Sequence, residues 1–109
     1  MPMDVPTLRK LLALDPGDPL SRFALGNGLL TLDGSEEALA EAAEHLRIAN
    51  SEAPEHLATY HALGQVLVRL GETEEARNVL LRGIDRVAAV GEGRGRDLGP
   101  AMQALLYEC

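Results

Sequence analysis

Residues Tyr60 to Ala76 read YHALGQVLVRLGETEEA. Tyr60, Leu63, Leu67 and Leu70 recur at steps of three and four, which is one face of a helix. Gly71 follows where a helix end commonly takes glycine. Glu74 and Glu75 then open a second periodic run, Ala76, Val79, Leu80, Gly83, Ile84 and Val87. Glu74, Glu75, Arg77, Asn78, Arg82 and Arg86 fall on its opposite face. Acidic residues at a helix start complement the helix dipole. Gly64 inside the first helix and Ala76 near the start of the second predict a close crossing, with Tyr60, Leu63, Leu67 and Leu80 filling the space around it.

The same pair of helices appears upstream. Leu25, Leu29 and Leu32 form a stripe before Gly34, and Leu39, Ala42, Leu46, Ala49 and Ala53 form the next before Pro54. Asp18-Pro19 reads as an N-cap followed by proline at the first helical position. Val5, Leu8, Leu11, Leu12 and Leu14 predict a shorter N-terminal helix ended by Asp15-Pro16-Gly17. Leu98, Ala101, Met102, Leu105 and Leu106 predict a C-terminal one. The intervening VGEGRGRDLG carries four glycines and reads as a flexible loop.

The two units are related by two offsets. Pro16 to Pro54, Leu25 to Leu63, Gly26 to Gly64 and Leu29 to Leu67 are 38 apart, whereas Ala42 to Ala76, Leu46 to Leu80 and Ala49 to Gly83 are 34 apart. The period is therefore 34, and the first unit holds four extra residues between Leu29 and Ala42. Four residues are about one helical turn, so the insertion can extend a helix end or the turn at Gly34 with little rotation of the apolar stripe.

A 34-residue helix–turn–helix with this spacing resembles the tetratricopeptide repeat. The second unit matches at Tyr60, Leu63-Gly64, Leu67, Gly71, Ala76 and Leu80, with Gly83 and Ala88 replacing the usual Ala and Pro. The first matches at Leu25-Gly26, Leu29, Ala42, Leu46, Ala49 and Pro54, and departs at Arg22, where a large aromatic is expected. Leu11, Asp15 and Pro16 resemble the close of a further unit. The resemblance implies an all-α fold, a short right-handed superhelix (α-solenoid). Its parts would be a half-repeat over 4–16, a first repeat over 19–54, a second over 57–90, a Gly-rich loop over 91–97 and a capping helix over 98–109, within one domain.

Bulk properties narrow the function. Seventeen acidic residues against 10 basic ones give a formal charge of −7, which argues against nucleic acid and anionic membranes as partners. A lone thiol, Cys109, cannot close an internal disulfide, so a reducing cytoplasm is the expected compartment. The N-terminal MPMDVPTLRK has no signal-peptide core, and no window has the ~20 apolar residues of a membrane span. Aromatics are few (Phe23, Tyr60 and Tyr107), which leaves the core to Leu, Ala and Val.

Candidates for chemistry are weak. His56 and His61 are five apart, which is not the i,i+4 spacing of a helical metal pair, and His45 stands alone. Gly91–Gly95 contains Gly-x-Gly but not the nucleotide-binding spacing, so a linker is the main reading and an anion contact through Arg94 and Arg96 the lesser one. The DGSEE of Asp33–Glu37 reads as a turn plus N-cap rather than a calcium loop. No metal, cofactor or catalytic residue is expected.

What remains is the groove that the resemblance implies. The first helix of each pair lines a concave face, which would present Leu20, Phe23, Asn27 and Leu30 from the first unit. The second would present Ala58, His61, Gln65, Val68 and Arg69, with Met102 and Leu105 completing the wall. A few apolar anchors with Asn27, Gln65 and His61 suit an extended or helical peptide. One subtype grips a terminal carboxylate with paired Lys and Asn. Here Asn27 matches while Phe23 and Ala62 replace its partners, which argues against that use of the groove. The expected function is non-catalytic docking of a partner protein; the alternatives are self-association through apolar array ends, giving a homo-oligomer, a subunit of a larger complex, or an enzyme.

Overall fold

The computed structural model describes residues 3–90 and 97–109. Those residues form six α-helices and no strand: α1 Val5–Leu14, α2 Pro19–Gly28, α3 Glu36–Glu52, α4 Leu57–Leu70, α5 Thr73–Val90 and α6 Leu98–Leu106. A π-helical turn, Leu29–Asp33, continues α2. Most of the expected Gly-rich loop, including Arg94 and Arg96, lies outside the described residues.

Local chemistry sets the helix ends. Asp4 caps α1 by accepting from the Thr7 N–H at 2.9 Å. Asp18 caps α2, accepting from the Leu20 N–H and from the Ser21 hydroxyl, with Pro19 behind it. Ser35 accepts from the Ala38 N–H, so the DGSEE segment is the turn and cap that it resembles. Gly71 ends α4 at φ 78°, with Gly71 N–H donating to Val68 and Glu72 N–H to Leu67, the paired bonds of a Schellman motif. Gly34 takes the same left-handed conformation, φ 76°.

Successive helices pack on one another, and α2, α4 and α6 lie side by side as one layer. The other layer is joined by ion pairs. Arg9 of α1 holds Glu41 of α3, and Arg47 of α3 holds Glu75 of α5 through two bonds of 2.8 Å. The arginines are 38 apart and the glutamates 34, so these are one interaction repeated. Arg9, followed by His45, stabilises the Glu41 carboxylate, bringing its pKa down to about 2 against the cost of burial, and the pair stays ionised at neutral pH. Exposed pairs of this kind contribute about 1 kcal/mol or less each.

One core runs through the stack, from Leu8 through Leu25, Leu29, Leu46, Leu63, Leu67 and Leu80 to Met102. The close crossing exists and Leu80 fills it: a Cβ on Gly64 would stand 2.9 Å from Leu80 Cγ, and Ala76 is fully buried. Gly26 meets Leu46 in the same way, 2.7 Å from its Cγ.

Three expectations change. Leu11 and Leu14 face outward, and Leu8 alone of the α1 stripe is buried. Leu32 is 59% exposed, because an i→i+5 turn has more residues per revolution and does not return it to the face of Leu29. The four-residue insertion is also divided. Leu29 to Gly34 is five steps against four from Leu67 to Gly71, while Gly34 to Ala42 is eight against five. One extra residue sits in the π turn and three lengthen the start of α3.

Candidate functional site

The layer of α2, α4 and α6 carries a cleft of about 750 Å³. It opens where α2 and α4 begin, against the end of α5 and the start of α6, with Pro19, Leu20, Leu57, Ala58, Val90 and Leu98 as its apolar walls. Asp18, Glu55 and His56 supply the polar rim. His56 is held from two sides: its Nδ1 lies 2.7 Å from the hydroxyl of the buried Thr59, and its ring meets Phe23 edge-on at 4.8 Å. Those two contacts tie the start of α4 to the middle of α2 and fix one wall of the cleft.

The residues expected in the groove do not fall in one place. Leu20, 53% exposed, and Ala58 line the main cleft. Phe23 and Asn27 line a second cleft of about 360 Å³ beside Met3 and Leu8, at the α1 end of the stack. His61, Gln65 and Val68 lie half-buried along α4. Arg69 is exposed and reaches toward the Gly34 turn. Burial lowers the His61 pKa, so at neutral pH its imidazole is uncharged and offers one donor and one acceptor.

Two of the expected wall residues are core. Leu30 is 3% exposed, because the lengthened start of α3 covers it with the buried Ala38 and Leu39. Met102 is fully buried against Gly83 and Tyr60, and Leu105 is half-buried beside it. The sequence reading missed His56, Leu57 and Pro19. Their signal was available: all three sit in or beside a helix start, and the two helix starts converge only once α2 and α4 are laid side by side.

Among the described residues no cluster of three or more His, Cys, Asp or Glu is placed to hold a metal. No described helix is long and apolar enough to cross a membrane.

No curated protein matches the chain. A family model for the tetratricopeptide repeat matches residues 35–89, half of the chain, from the cap of α3 to the end of α5. Repeats of this kind generally mediate protein–protein interaction and are generally non-catalytic. The matched span holds the Gly64–Leu80 crossing and the Schellman turn at Gly71, and the chain belongs to the tetratricopeptide repeat family.

Proposed function

We propose that the protein docks a segment of a partner protein along the α2, α4 and α6 layer, anchored by an apolar side chain in the cleft between Leu20, Leu57, Ala58 and Leu98. The observation that carries this is the cleft itself: about 750 Å³ with mostly apolar walls, formed where two helix starts meet. Interfaces take most of their energy from a few such anchors, with neighbouring polar groups fixing register. His61 and Gln65 along α4 would supply those polar contacts.

Affinity capture from lysate with wild type and with Leu20→Asp/His61→Asp tests it, once circular dichroism shows both folded. Leu20 is the right position for the charge because Leu30, in the core, would unfold the protein. A protein kept by wild type and lost by the variant supports groove docking. Equal retention by both would move the binding surface elsewhere, and a mass that rises with protein concentration would favour self-association.

A further inference from the structure

The ion pairs that join α1, α3 and α5 keep a fixed register, which extends to both ends of the stack. Arg9 holds Glu41, and Arg47 holds Glu75. One step further along, the arginine position falls on α5 at Leu81, 34 residues after Arg47. One step back, the glutamate position falls at Met3, 38 residues before Glu41 and beside the start of α1. Both are apolar and both are exposed, Leu81 at 47% and Met3 at 52%. An interaction that is ionic twice inside the stack has thus become apolar in both of its outer halves.

The neighbouring positions follow the same pattern. On α3 this face meets the preceding pair through Glu41 and His45, which bond Arg9 and Arg22. On α5 it meets the preceding pair through Glu75, which bonds Arg47, and through Gly83, which lies against Tyr60. Ala49 and Gly83 are buried there, whereas Leu11, at their position on α1, is exposed. Met3, Thr7 and Leu11 therefore form an uncharged face that nothing covers among the described residues. The adjoining cleft of about 360 Å³ between α1 and α2 is open in the same sense: Ala24 in its wall is half-buried, while Ala62, 38 residues later on α4, is buried. At the other end of the stack, α6 and its cap turn out Pro100, Gln103, Ala104 and Tyr107, again without charge.

We propose that copies of this chain associate head to tail, the α5–α6 end of one covering the α1 face of the next, with Leu81 beside Met3 in place of the Arg–Glu pair. Helix order suits the join. α6 packs on α5 and α4, as α4 packs on α3 and α2. Against α1 and α2 of the next copy, it would take the place that α2 takes against α3 and α4. A second copy is favoured over another protein because both halves of the pair have changed. A foreign partner at either end would require only that end to lose its charge. Two chains of formal charge −7 also repel, so an uncharged junction is where they can meet without bringing like charges together. None of these residues lines the cleft between Leu20 and Leu98, so this surface is separate from the one proposed for docking.

Analytical ultracentrifugation of the full chain tests this. A head-to-tail contact leaves one end of each kind free, so the average mass should climb past that of a dimer by about 1 mM, the regime of a small interface. Added salt should strengthen association, because it screens the repulsion between copies and leaves an apolar contact intact. Met3→Glu and Leu81→Arg each restore, at one end only, the charge that the inner repeats carry. Both positions are exposed, so both variants should fold, as circular dichroism would check. Each alone should weaken association about tenfold or more, since a charge then faces an apolar side chain. An equimolar mixture of the two should recover it, because the introduced charges meet each other at one junction and the native residues meet at the next. Mixing would not rescue a contact between like ends. A wild type that stays monomeric, a dimer that does not grow, either variant associating like wild type, or a mixture no heavier than its components would each overturn the proposal.

Discussion

At Gly64 a hydrogen replaces a side chain because Leu80 already occupies the space. Two effects oppose each other there. Alanine has the better helix propensity, by about 1 kcal/mol. Overpacking a filled crossing costs about 1–3 kcal/mol. Overlap should win in the native background, so Gly64→Ala lowers the urea midpoint. In a Leu80→Ala background the methyl has room, and the same substitution should become stabilising. A change of equal sign in both backgrounds would sink this account of the crossing. Arg22 illustrates what single-residue reading gets and what it misses. The sequence marked it as a departure from an expected aromatic, but not its replacement chemistry. Arg22 and Tyr60 each donate to the proline carbonyl six residues earlier. The position keeps its hydrogen bond, and Arg22 adds one to His45, which stands 34 residues before Val79, its counterpart in the second unit. A pair 23 residues apart in sequence is invisible until α2 and α3 pack.

At the scale of elements, the helices and their caps followed from periodicity and from Asp18, Ser35 and Gly71, because those signals are local. The π turn did not, since an insertion of four residues says nothing about where each one goes. That turn moved Leu32 out of the core, while the lengthened start of α3 covered Leu30, and the two together redrew the groove. Its removal is testable. Without Asp33 the segment reads Leu29-Leu30-Thr31-Leu32-Gly34, the pattern of Leu67-Val68-Arg69-Leu70-Gly71. Deleting Asp33 should let α2 run as ordinary α-helix to Leu32, which would turn inward as the half-buried Leu70 does. The cost is the Asp33–Ser35 bond of 3.0 Å, an exposed turn contact that water largely replaces. Chemical shifts should report α-helix through residue 32 and a cooperative transition should survive; a retained π turn or a broadened, non-cooperative melt would refute the assignment of the extra residue.

At the scale of the molecule, a stack of helix pairs is stabilised by neighbours, and its ends must be closed. α6 closes one end. It has nine residues, too few to be stable as an isolated helix in water, so its order depends on what it covers. Met102 is the contact that matters: it is fully buried, and its sulfur lies over Gly83, where a Cβ would come within 2.6 Å of both Met102 Sδ and Tyr60 Cβ. Gly83 thus admits the methionine as Gly64 admits Leu80. Truncating Met102 to alanine should cost about 2–3 kcal/mol, the lower part of the range for a buried Met→Ala change, because a short end helix can settle inward. The loss should be local first. Amide exchange in α6 should accelerate more than in α4, since α4 is held on its other side by α3. With α6 loosened, Tyr60 and Gly83 lose cover, and sedimentation should show the variant associating at concentrations where wild type does not. Uniform acceleration across all helices would instead mean that α6 and the repeats unfold as one unit, and unchanged exchange in α6 would mean that Met102 does not hold the cap.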